Sequence, residues 1–279
     1  MIRALSIALT LSFAAAAPAQ TPVDAGPYVP SPTSVVSDML TLAGVGPNDF
    51  VIDLGSGDGR IVLTAAKVFG ARGFGVEIKD ELVKRANEDA HKQGVADRVK
   101  FIKQDLFKTD ISQATVLTMY LLPKTVNMLS DKLLKELKPG TRIISHDYPL
   151  DGWIPEKRHE FDLAEKVNIS GVTLTIIYLY VVPATVSGKW SASVPSSVAK
   201  QTMSIELKQQ ITRVSGSANV DGKVIALEDV KLKGDRIRFG LAGRKGVEFT
   251  GSVKGNLIEG EVAAAGVKNP WSAKLAPKT

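Results

Sequence analysis

The stretch Val51-Ile52-Asp53-Leu54-Gly55-Ser56-Gly57-Asp58-Gly59-Arg60 constrains the fold more than any other. A short apolar run leads into three glycines at alternate positions, and a helix-forming run begins at Arg60. Glycine permits positive φ and lets backbone approach a ligand closely. The helix N-terminus that follows presents free N–H groups to whatever sits at the turn. A strand, a glycine turn and a helix in this order predict an α/β fold with a ligand at the turn.

The surrounding sequence repeats that unit. Residues 49–54, 73–78, 98–103, 114–120 and 141–145 read as strands. Residues 32–43, 60–69, 80–93 and 123–137 read as helices. In the last of these Pro123 starts the helix and Lys138-Pro139-Gly140 ends it. Strict alternation of this kind builds a parallel sheet with helices on both faces. After Pro155 the pattern changes, and 161–168 and 172–182 read as two strands joined at Ile169-Ser170-Gly171. From Thr185 onward short alternating segments such as Ile205-Glu206-Leu207-Lys208 are separated by turn signals, among them Asp221-Gly222 and Gly255-Asn256. Their spacing predicts an antiparallel meander closing into a small barrel or curved sheet, with Trp190 and Trp271 plugging its core. The expected organisation is therefore a leader over 1–19, an α/β domain over 20–183 and a small all-β domain over 184–279.

The leader is read from Met1-Ile2-Arg3, the apolar run over 4–17 and the small residues Ala17-Pro18-Ala19. These are the marks of a secretory signal cut after Ala19. The apolar run is shorter than the roughly 20 residues that span a bilayer. The expected location is therefore periplasmic or secreted. The 279 residues contain no Cys, which excludes disulfides and thiolate metal sites. From Thr185 onward there are 15 Lys and Arg against 8 Asp and Glu, a balance of +7, whereas the preceding residues carry 20 against 21. The basic tail suits an acidic or envelope partner, and no nucleic acid is expected from a charge of this size.

Several nucleotides bind at glycine turns, and the spacing discriminates among them. A P-loop needs Gly-Lys-Ser/Thr at the helix start, and Gly59-Arg60-Ile61 does not supply it. A dinucleotide fingerprint has the spacing G-x-G-x-x-G, whereas Gly55, Gly57 and Gly59 follow G-x-G-x-G. S-adenosylmethionine carries no phosphate, and its amino-acid end needs an acceptor and donors beside the turn. Asp53, Ser56 and the turn N–H groups supply them. Glu77 ends the second strand, where a carboxylate accepts ribose hydroxyls. Asp105 follows the third strand and can accept the adenine amine beside the Leu106 N–H. Taken alone, Asp105 reads equally as the cap of a short helix. Three acids at successive strand ends flank one crevice, and no metal is expected there.

The run Asp53 to Arg60 with Glu77 and Asp105 resembles class I, seven-β-strand S-adenosylmethionine-dependent methyltransferases. Tyr28-Val29-Pro30-Ser31-Pro32 and Met119-Tyr120-Leu121-Leu122-Pro123 narrow the resemblance. They are similar to a small family of protein lysine methyltransferases acting on mitochondrial ATP synthase c-subunit and adenine nucleotide translocase. The resemblance covers roughly residues 28–182. It implies a Rossmann-like doubly wound seven-stranded sheet closed by an antiparallel hairpin. It also implies that the Tyr28 segment folds over the cofactor, that 119–123 line the acceptor pocket, and that the acceptor is a protein lysine or another amine. At 119–123 other N-methyltransferases carry Asn-Pro-Pro-Tyr.

Methyl transfer requires a neutral nucleophile aligned with the methyl group in a site that sheds water. Tyr120 at the end of the fourth strand, and His146 with Asp147 at the end of the fifth, are expected to face the crevice. His146 reads either as a base near neutral pH or as a polar strand-end residue. Tyr28 reads either as a cofactor contact or as an aromatic staple for its segment. Glycines 70, 73 and 75 read as ordinary turn and strand-edge positions. An exported binding protein that keeps this fold as a scaffold is the alternative to an enzyme.

Overall fold

A computed structural model describes residues 27–277. The expected leader and its cleavage point lie outside the described residues. The chain begins with α1 (Thr33–Ala43), which buries Val35, Val36, Met39, Leu40 and Ala43 along one face. Neither Ser31 nor Thr33 caps it; Pro32 occupies the cap position without a side-chain bond. Ser31 is instead drawn into the site described below.

β1 (Phe50–Leu54), α2 (Arg60–Phe69), β2 (Arg72–Glu77), α3 (Asp80–Lys92), β3 (Val99–Lys103) and β4 (Val116–Met119) follow in the expected alternation. Then come α4 (Pro123–Met128), α5 (Ser130–Glu136) and β5 (Arg142–His146). The single helix expected over 123–137 is two. At Leu129 the N–H bonds back only three residues, to Val126, which tightens the chain and divides the helix there. β6 (Lys157–Asp162) lies earlier than the strand expected over 161–168. A 3₁₀ turn, Ala164–Lys166, and α6 (Val167–Ser170) take up the residues beyond it. β7 (Leu174–Val181) then inserts antiparallel between β5 and β6. The sheet order is β3-β2-β1-β4-β5-β7-β6. Core packs on both faces, with α1 and α2 residues on one and Val126, Leu129 and Leu133 on the other.

Eight further strands run from β8 (Gly188–Ser193) through β9 (Met203–Gln210), β10 (Arg213–Val220), β11 (Lys223–Lys233), β12 (Arg236–Leu241), β13 (Glu248–Lys254) and β14 (Leu257–Ala264) to β15 (Val267–Leu275). They close into an antiparallel barrel. Strand period dictates the closure: in β9, Met203, Ile205 and Leu207 are buried while Ser204, Glu206 and Lys208 are exposed. Trp190 and Trp271 are buried inside, and Trp271 meets Phe239 and Phe249 edge-on at 5.8 and 5.0 Å.

The barrel docks against one edge of the sheet. A Cβ placed on Gly234 would lie 3.1 Å from Gly140, just before β5. The Thr212 hydroxyl accepts the Ile154 N–H at 2.8 Å. Both contacts are at the amino ends of β5 and β6. The crevice at the carboxyl ends is therefore about a strand length away, roughly 17 Å for five residues. No helix among the described residues is long and apolar enough to cross a membrane.

Candidate active site

A crevice lies at the carboxyl ends of β1, β2 and β4, where open α/β sheets bind ligands. Tyr28, Asp53, Gly55, Ser56, Gly57, Glu77, Asp105, Leu106 and Tyr120 all line it. Elements distant in sequence converge here because parallel strands place all their carboxyl ends on one edge.

Asp53 sits at 2 % exposure near the end of β1. Thr118, its register partner on β4, donates its hydroxyl to Asp53 Oδ1 at 2.7 Å. Burial raises the Asp53 pKa to about 7, Thr118 opposes the rise, and the charges of Glu77 and Asp58 add to it. Glu77 is fixed by backbone. Its Oε2 accepts the Gly57 N–H at 3.1 Å, and its Oε1 accepts those of Ile78 and Lys79 at 2.8 and 3.0 Å. The Gly57 N–H is thus already engaged and not free for a ligand, a correction to the expectation that the turn amides are open. Asp105 Oδ1 accepts the Phe107 N–H at 2.9 Å and so caps a 3₁₀ turn, Leu106–Lys108. Asp105 serves as the cap and lines the crevice as well.

Gly57 has φ +54°, and a Cβ there would lie 2.5 Å from the Tyr28 ring. The turn and the Tyr28 segment therefore need each other. Arg60 completes the arrangement. Its Nη2 and Nε grip Asp58 at 2.7 and 2.9 Å, and its Nη1 donates to the Ser31 carbonyl at 2.7 Å. Burial alone would raise the Asp58 pKa, but the Arg60 bonds and charge outweigh it and hold the carboxyl below its usual range. Asp58, Arg60 and Thr118 were not among the expected site residues, although Asp58 and Arg60 lie within the glycine motif itself. Gly75 corrects another expectation. A Cβ there would lie 2.5 Å from Ser56 Oγ, so this glycine makes room for the floor of the crevice.

Of the three residues expected to act chemically, only Tyr120 reaches the crevice. His146 is fully buried behind it, with ring centroids 4.0 Å apart. Its Nδ1 pairs with Ser31 Oγ at 2.9 Å. Burial pushes its pKa down to about 4, with Lys166 adding to the fall and Asp147 opposing it. The imidazole is neutral at physiological pH and too weak and too enclosed to serve as a base. Asp147, at φ +62°, accepts Lys166 Nζ at 2.7 Å, and Lys166 is itself only 2 % exposed. This pair ties the segment before β7 to the end of β5, which is a structural role. The Tyr120 hydroxyl faces Asp147; burial and then that charge raise its pKa, so the phenol stays protonated.

Two buried side-chain atoms among the described residues have no partner, Ser56 Oγ and His146 Nε2. Ser56 lies in the crevice wall. Four carboxylates line the crevice, those of Asp53, Asp58, Glu77 and Asp105, against the cations of Arg60 and Lys79. An orphan hydroxyl and an acid excess suit a phosphate-free ligand that carries positive charge. S-adenosylmethionine, with its sulfonium and ammonium groups, fits that donor set.

Residues 53–157 match the family model of the ANTKMT methyltransferase domain. The chain is 46% identical over 157 residues to a protein-lysine N-methyltransferase of Saccharolobus islandicus, covering 56% of this chain and 93% of that protein. It is 36% identical over 129 residues to the adenine nucleotide translocase lysine N-methyltransferase of Mus musculus, covering 46% of this chain and little more than half, 56%, of that one. Among solved structures, an RNA methyltransferase from Salinibacter ruber in complex with S-adenosyl-L-homocysteine superposes with a TM-score of 0.51 at 44% identity, over 57% of this chain and 96% of its own. The acid-lined glycine crevice on this sheet, together with these likenesses, identifies the chain as a member of the S-adenosylmethionine-dependent protein-lysine N-methyltransferase family.

Proposed function

We propose that the protein transfers a methyl group from S-adenosylmethionine to a lysine side chain of a protein partner. The observation that carries this reading is the placement of Tyr120. It stands on the crevice wall beside the glycine turn, with its phenol held protonated. When bound, S-adenosylmethionine supplies an electrophilic methyl group on a sulfonium.

Glu77 would take the ribose hydroxyls through the lone pairs that its backbone donors leave free. Asp105 and the Leu106 N–H would hold the adenine, and Asp53 with the Ser56 hydroxyl the amino-acid end. Tyr28, braced on Gly57 and the Asp58–Arg60 pair, covers the turn and excludes water. The acceptor amine must arrive neutral. The Tyr120 oxygen accepts one of its N–H bonds and aims the lone pair inward. After transfer the proton leaves to water, since the phenol cannot accept it and His146 does not reach the crevice.

Incubation with methyl-labelled S-adenosylmethionine and cytosolic, envelope and RNA fractions tests this. Label on protein lysine is expected, lost in Asp53→Ala and reduced about tenfold to a hundredfold in Tyr120→Phe. Label confined to RNA, or no cofactor binding at all, overturns it. We also propose export. The basic start and apolar run before Ala19 support it, and the acceptor would then be an envelope protein. N-terminal sequencing of the mature protein tests the cleavage: a start at Gln20 is expected, and an intact Met1 refutes it.

A further inference from the structure

A second cleft lies where the barrel meets the sheet, on the side away from the crevice. β10 and β11 pair only from Val220↔Lys223 to Ser217↔Ala226, although β10 starts at Arg213 and β11 runs on to Lys233. Below that ladder the two strands part. Beyond it β11 stays paired with β12 alone, through a register shift between Glu228 and Lys231 with Asp229 at φ +51°. The opening is a surface depression of about 470 Å³.

Its chemistry is two-sided. Val214, Val230 and Leu232 form an apolar floor continuous with the barrel core. Val181, Pro155 and Ile154 close it from the sheet side, and Ile154 is a large apolar side chain left 50% exposed. At the rim, Lys233 is neutralised by Glu156 at 2.8 Å. Arg213 and Lys231 line the same opening and form no ion pair among the described residues. The Thr212–Ile154 bond joins the two walls. Ligand sites favour such concave apolar surfaces with few polar groups, at the junction of two units.

We propose that this cleft binds an amphipathic anion, a carboxylate or phosphate head carrying a single aliphatic chain. The chain enters between the parted strands onto the inward-facing Val214, Val230 and Leu232 beside Ile154, and the head stays at the outer face, where Arg213 and Lys231 stand. The site is independent of the methyltransferase crevice. A cationic amphiphile would meet two unpaired positive charges, and an inorganic anion would leave the apolar floor uncovered.

Titration calorimetry on the full chain, below micellar concentrations, tests this with dodecanoate and dodecyl phosphate as probes. Acetate, dodecanol and dodecyltrimethylammonium are the controls. One-to-one binding of both anionic probes is expected, with at least tenfold weaker binding of every control. Charge reversal in Arg213→Glu or Lys231→Glu is expected to weaken dodecanoate binding about tenfold or more. Both residues are exposed, so these variants should fold. Hydrogen exchange with dodecanoate should show protection at 154–156 and 230–233. The proposal fails if dodecanol binds as well as dodecanoate, if both charge reversals leave affinity unchanged, or if protection falls on the crevice residues 53–57 instead. Stronger binding of one anionic probe assigns the head as carboxylate or phosphate.

Discussion

The seven-stranded unit and the barrel handle polarity in opposite ways. Every buried polar or charged side chain among the described residues lies at or before Thr175, including Asp53, Asp58, His146 and Lys166. The barrel interior is entirely apolar and aromatic, and its charges stand outside. Buried polar groups cost stability unless fully partnered. The first unit accepts that cost both at the crevice and in the structural Lys166–Asp147 pair, and the barrel avoids it. A basic tail can thus be a stable, closed body while the acidic crevice keeps like charges close together.

Four substitutions probe this contrast. The largest effect is expected in the barrel. Phe249→Ala removes a ring stacked on Phe239 at 4.8 Å and should cost about 3–4 kcal/mol through lost burial and the cavity left behind. Cofactor affinity should not change, because the crevice is a strand length away. Altered affinity would mean that the two units are coupled. Lys166→Met leaves the half-buried Asp147 without its cation, and the loss should be about 3 kcal/mol in urea denaturation. A loss under about 1 kcal/mol would show that the pair is dispensable.

Asp53 gives the pH signature. Its folded pKa of about 7 lies above the ordinary value of 3.8. The folded state therefore holds the proton more tightly, and unliganded stability falls as pH rises from about 4 to about 7. Asp53→Asn should remove that slope, gain on the order of 2–4 kcal/mol above pH 7, and abolish cofactor binding. Denaturation at pH 5 and pH 8 reads it, and an unchanged slope would place the titration elsewhere. Smallest of all is Glu261→Gln on the barrel surface. Its contact with Lys268 spans 3.6 Å between well-exposed side chains, so the change should stay below about 0.5 kcal/mol.

Much of the crevice was legible in sequence because its signals are local. The glycine turn, Glu77 and Asp105 each sit at the end of a strand that its own pattern marks, and alternation puts those ends on one edge. The acceptor side was less legible. Tyr120 and His146 both end strands, and pattern alone treats them alike. Only packing separates them, because Ser31, 115 residues away, closes over His146 and leaves Tyr120 at the wall. The need for Gly75 arises likewise from Ser56 on the neighbouring turn, which no spacing reveals.

By itself the sequence determined the α/β order, the turn that receives the methyl donor and the closure of the tail as a β structure. Those follow from backbone periods and glycine geometry within a few residues. The tertiary structure decided which polar groups are buried together, that Lys166 serves Asp147, and that the barrel docks on the edge away from the crevice. Such pairings depend on which elements come side by side, and contacts between elements distant in sequence leave no periodic trace in the chain.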